Sequence, residues 1–134
     1  MPQFSLNLTL DSHPQNIAEI EPFVVKALQE YAVDEEFFGT ILTTLTEAVT
    51  NAILHGNRAR PTKKVYVSTQ CAAQTLSFTI RDEGNGFNPD AVPDPTTPEN
   101  LSQEGGRGVF LMRQLCDKVL FSENGCVVEL QFAI

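Results

Sequence analysis

"EAVTNAILHG", from Glu47 to Gly56, ends a helix whose polar residues fall in a telling place. Glu47, Asn51 and His55 recur every four residues. At about 100° of turn per residue, each lies about 40° round the helix from the one before. The opposite face is apolar, with Phe38, Ile41, Leu42, Leu45, Val49, Ala52 and Ile53, the stripe of a helix laid on a core. The helix opens at Asp34, and Glu35 and Glu36 follow in the first turn, where they suit the helix dipole. Taken by itself, the polar edge is a solvated face, as for most charged helix residues. An acid and an amide one turn apart are also what a site needs to hold Mg²⁺ through oxygen and water beside a nucleophile. His55 suits a structural role in the last turn.

Outward from this helix the periodicity changes. Upstream, Phe4, Leu6, Leu8 and Leu10 alternate with polar neighbours, the period of a half-buried strand. Ser12 and Pro14 then supply a cap and a first-turn proline for a helix carrying Ile17, Ile20, Val24, Ala27, Leu28 and Tyr31. Pro22 falls inside that pattern, so the helix is either kinked there or begins later. Downstream, a basic loop containing Arg58, Arg60, Lys63 and Lys64 leads to strands over 65–70 and 75–82, joined by a link over 71–74. The stretch "EGNGFNPDAVPDPTTPENLSQEGGRG", residues 83–108, has no periodicity, and a loop of that length inside a domain is usually functional. A third helix runs through Val109, Met112, Leu115 and Cys116, and a hairpin over 119–123 and 126–132 turns at Asn124-Gly125, a type I′ signal. The order β-α-α-β-β-loop-α-β-β predicts an α+β fold: a two-layer α/β sandwich with helices on one face of a mainly antiparallel sheet.

A chain of 134 residues suits one domain, 1–134, and an apolar fraction of 42% suits a globular core. Nine Lys+Arg against 17 Asp+Glu leave a net charge of -8, which argues against nucleic acid as a partner. An anionic ligand would have to be met by backbone amides, a helix N-terminus or a bridging metal ion. The first ten residues lack a basic leader pattern, and no uninterrupted apolar run has the length of a membrane span, so neither secretion nor a membrane is expected. Cys71, Cys116 and Cys126 are odd in number and lack CxxC spacing, as expected of free thiols in a reducing cytoplasm.

Three further stretches bear on chemistry. Leu76, Phe78, Ile80 and Asp82 share one strand face, so an apolar face ends in a carboxylate. Asp82 either caps the following turn or accepts hydrogen bonds from a ligand on the sheet, such as an exocyclic amine. Gly84 and Gly86 follow, one residue apart, and glycines there let a ligand approach the backbone. "EGGRGVF", residues 104–110, sits where a loop enters a helix, an arrangement that offers free amides and a positive dipole end to an anion, with Arg107 as a charged donor.

In their order, "EAVTNAILHG", "RDEGNGF" and "GGRGVFLM" resemble the N box and the two glycine boxes of the GHKL ATPase superfamily, and within it the chain looks like an anti-sigma-factor serine/threonine kinase. That resemblance implies the Bergerat ATP-binding sandwich, with a mainly antiparallel mixed sheet, three helices on one face and residues 88–103 as a lid. It implies ATP and Mg²⁺, with Asn51 as the metal ligand and Asp82 on the adenine amino group. Gly84 and Gly86 would lie beside base and ribose, and Gly106, Arg107 and Gly108 at the phosphates. Glu47 would be the catalytic acid-base residue that takes the proton of a Ser or Thr hydroxyl. The implied partners are a small anti-anti-sigma protein of the STAS type as phosphoacceptor, a sigma factor, and a second copy of the chain in a homodimer. Two other functions fit the same boxes: a non-catalytic module that grips a partner when nucleotide is bound, and the ATP domain of a histidine kinase. The latter needs a dimerisation helix bearing the phosphoacceptor His, a context that His13 and His55 do not have.

Overall fold

Alternation of apolar and polar residues builds a five-stranded sheet, and the helical stripes cover one of its faces. The computed structural model describes residues 5–84 and 104–134, with 104–108 as backbone only. The strands are β1 (Leu6–Asp11), β2 (Lys64–Ala72), β3 (Thr75–Arg81), β4 (Lys118–Ser122) and β5 (Val127–Ala133), in the order β1-β2-β3-β5-β4. The helices are α1 (Ile20–Glu30), α2 (Phe38–Asn51) and α3 (Glu104–Leu115). Every neighbouring pair of these strands is antiparallel, so the mainly antiparallel sheet expected from the sequence is antiparallel throughout the described residues. β3 and β4 run in the same direction, but β5 lies between them and pairs with both.

The sheet's inner face and the helical stripes form one core. Val65, Val67, Leu76, Phe78, Ile80, Leu130 and Phe132 from the strands meet Ile20, Val24, Ile41, Leu45, Val49 and Ile53 from the helical layer. Phe78 lies near its centre, edge-on to Phe23 at 6.4 Å and to Phe132 at 6.1 Å between ring centroids, a geometry that aromatic quadrupoles favour. α2 is the central helix, in contact with both α1 and α3. The helical stretch Glu35–Gly56, of mean hydropathy 1.3, is long and apolar enough by composition to cross a membrane. Its apolar stripe is instead committed to this core.

Several local readings are sharpened. The Pro22 ambiguity resolves into a 3₁₀ segment over Pro14–Glu19 followed by α1 from Ile20, which leaves Pro22 in the first turn, where its missing N–H costs nothing. Ser12 does not cap this segment. It is fully buried, and its hydroxyl donates to Lys63 O at 2.7 Å. Asp34 does cap its helix, accepting from Glu36 N at 2.9 Å. The β2–β3 link is only two residues long, with Ala73 and Gln74 at φ of 49° and 66°, the turn whose twist matches that of the strands. The β4–β5 connection is longer than a two-residue I′ turn. Four residues separate the last pair, Ser122 and Val127, and Glu123, Asn124 and Gly125 all have positive φ.

Candidate functional site

The end of "EAVTNAILHG" and the end of the strand bearing Asp82 meet. After Asn51 the helix widens into one π-helical turn, Ala52–Gly56, closed by a 2.8 Å bond from Asn57 N to Ala52 O. Such turns are often found at functional sites. His55 lies exposed in this last turn. Glu47 and Asn51 are half-buried and one turn apart on α2.

On the strand side, burial continues from Leu76, Phe78 and Ile80 to Asp82, just past the end of β3. Asp82 is half-buried, and the backbone that carries it is held at three successive amides. Asp82 N donates to Cys126 O at 2.9 Å, Glu83 N to Asn57 Oδ1 at 2.7 Å, and Gly84 N to Asp82 Oδ1 at 2.8 Å. Burial pushes the Asp82 carboxyl above its ordinary 3.8, against the opposing effects of the Gly84 N–H, the Cys126 thiol and the Lys63 charge. A carboxylate with one oxygen engaged by Gly84 and acceptor capacity left on the other can take a hydrogen bond from an amine.

Two glycines make this meeting possible. A Cβ at Gly56 would lie 2.4 Å from Asp82 Oδ2 and 2.5 Å from its Cγ; a Cβ at Gly84 would lie 1.9 Å from Gly56 O. A side chain at Gly84 would push the helix end off the strand end, and one at Gly56 would displace the Asp82 carboxylate. Measured along the helix from Gly56, Asn51 is on the order of 7 Å away and Glu47 on the order of 13 Å. Carboxylate, amide and acid are therefore set out along one helix, starting from Asp82.

Of the residues singled out in the sequence, the structure thus brings Asp82 and Gly84 against the end of the helix that carries Glu47 and Asn51. Gly86 and the lid, 88–103, lie outside the described residues. Gly106, Arg107 and Gly108 belong to α3, which begins at Glu104, so the second glycine cluster is part of the helix and not a loop leading into it. α3 packs on α2. Sequence reasoning missed Gly56, Asn57 and Cys126. Gly56 was legible only as a helix stop, and its packing on Asp82 depends on a contact distant in sequence. Cys126, whose thiol donates to Gly84 O at 3.2 Å, gave no signal beyond its lack of a pairing motif.

Comparison with known proteins places these features in a family. The histidine kinase-like ATPase domain matches residues 10–132. A protein named anti-sigma F factor from Bacillus cytotoxicus is 34% identical over 122 residues, which is 89% of this chain and 83% of that protein. Another of the same name, from Anoxybacillus flavithermus, is 38% identical over 96 residues, which is 67% of this chain and 65% of that protein.

Proposed function

Because this chain belongs to the histidine kinase-like ATPase domain family, we propose that it is an ATP- and Mg²⁺-dependent serine/threonine protein kinase that acts as an anti-sigma factor. The observation that carries the reading is the junction at Asp82: a half-buried carboxylate with acceptor capacity, packed against the end of the helix that bears Asn51 and Glu47. The names of the relatives, anti-sigma F factor, support the regulatory role.

In this reading the ionised Asp82 accepts the N6 amine of adenine, and its partly desolvated setting strengthens that bond. Gly84 lets the base lie close to the backbone. Asn51 would hold Mg²⁺, which when bound would supply charge neutralisation at the phosphates. The free amides of the first turn of α3, around Gly106, and the Arg107 guanidinium meet the phosphates, with Gly108 beside them. Glu47, farther along α2 from Asp82, takes the proton of an attacking Ser or Thr hydroxyl. The hydroxyl oxygen bonds to the γ-phosphorus as the bond to the β,γ-bridging oxygen breaks, and ADP leaves.

The phosphoacceptor is a small anti-anti-sigma protein of the STAS type, the second partner is a sigma factor, and the working form is a cytoplasmic homodimer. Incubation with labelled ATP and the cognate acceptor is expected to give phosphoserine or phosphothreonine. Glu47→Gln is expected to retain ATP binding and lose transfer by about 10²-fold or more. An unaltered transfer rate in that variant removes Glu47 from catalysis. Tight partner binding without any phosphorylated product would make the protein a nucleotide-dependent binding module instead.

A further inference from the structure

Asn57 stands outside every motif above, yet it ties the site together. It is 1% exposed, and its side-chain amide reaches three separate parts of the chain. Oδ1 accepts from Glu83 N at 2.7 Å, while Nδ2 donates to Ser12 Oγ and to Lys64 O, each at 2.9 Å. The amide's orientation is fixed by these partners. Turned over, it would set two N–H groups face to face at Glu83 and two oxygens face to face at Lys64. Ser12 Oγ spends its own proton on Lys63 O, at 2.7 Å, and is therefore left as an acceptor for Asn57. The backbone of the same residue closes the π-helical turn through Ala52 O.

One residue thus fixes both halves of the junction: the helix end that places Gly56, and the peptide between Asp82 and Glu83. The other two amides there are held by Cys126 O and by the Asp82 carboxylate itself. Asn57 Oδ1 is the only side-chain atom from another element that holds this three-residue segment through a backbone amide among the described residues. Loss of a buried acceptor leaves its donor unsatisfied, and the cheapest repair is for the Glu83 amide to turn toward another acceptor, which moves the carboxylate beside it.

We infer that Asn57 is a positioning residue for base recognition: by holding the Glu83 amide, it keeps the Asp82 carboxylate aimed at the exocyclic amine of adenine. The inference rests on the proposal that Asp82 reads the base. Its test is therefore a selectivity ratio: the affinity for ATP over that for inosine triphosphate, which carries an oxygen in place of the amine and is otherwise alike in sugar and phosphates.

Titration calorimetry on the full chain, below the melting temperature of each variant, supplies the ratio. The wild type is expected to prefer ATP, and Asn57→Ala to lose at least about tenfold of that preference. Asn57→Asp keeps an acceptor for Glu83 N but loses both Nδ2 donors. It is expected to melt earlier while holding the ratio within about threefold of wild type. Ser12→Ala removes only the far contact and is expected to behave in the same way. Should Asn57→Ala not fold, the latter two variants carry the test. A ratio that falls in step with melting temperature across the variants, or an unchanged ratio in folded Asn57→Ala, overturns the positioning role. A wild type that binds both triphosphates equally overturns base reading by Asp82 itself, and the role of Asn57 with it.

Discussion

Replacing Gly56 by alanine separates local helix propensity from the packing at the Asp82 junction. Alanine is favoured over glycine inside a helix by about 1 kcal/mol, so propensity alone predicts a more stable protein. The structure predicts damage to the site. The added Cβ would stand 2.4 Å from Asp82 Oδ2, 2.5 Å from Cγ and 2.9 Å from Oδ1, where ordinary contact begins at 3.4 Å. The carboxylate must retreat by about 1 Å, a shift that costs it the 2.8 Å bond from Gly84 N and its aim at a bound base. A hydrogen bond to a charged group contributes about 1.5–3 kcal/mol, so ATP affinity should fall by about 10- to 150-fold. Calorimetric titration with ATP and a thermal melt of the same samples give the two numbers. Wild-type affinity together with a raised melting temperature would refute the reasoning, because it would mean that nothing at the junction needs glycine.

Two further predictions follow from titratable groups. Burial raises the folded-state value of Asp82 above 3.8, so the native protein holds this proton more tightly than the unfolded chain. Its ionised form costs stability, with the cost absent below the unfolded value and fully present above the folded one. Asp82→Asn should therefore melt no lower than wild type at pH 7, with any advantage vanishing as the pH falls to about 4; an Asn variant whose deficit grows with pH would contradict this. Cys116, whose thiol burial pushes up to about 12, should be about one part in ten thousand thiolate at pH 8. Mass spectrometry after iodoacetamide treatment should find it labelled only once the chain unfolds, and rapid labelling of the native protein would show the burial to be wrong.

How legible the protein is from sequence depends on how far apart its contacts lie. Periods of two and of about 3.6 residues gave the strands and helices, since each reports burial of a nearby face, and Leu76, Phe78 and Ile80 led to a half-buried Asp82. Turn and cap chemistry was less legible. Ser12 has the composition of a cap, but a carbonyl 51 positions away, Lys63 O, took its hydroxyl. Ala73 and Gln74 make a tight turn without glycine, because strand pairing imposes a shape that local preference does not request. Glu47, Asn51, Asp82 and Gly84 could be nominated because acids, amides and glycines in motif order imply chemistry. Gly56 and Asn57 could not, since their importance comes from what they touch across the fold.

Calorimetric titration of ATP with Mg²⁺ into wild-type protein and into Asp82→Asn tests most directly whether Asp82 belongs to an ATP site at the end of this helix. Saturable binding by the wild type and at least about a tenfold loss in the variant, equivalent to about 1.4 kcal/mol, are expected. Near wild-type affinity in Asp82→Asn, in a protein that remains folded, would contradict that role for Asp82.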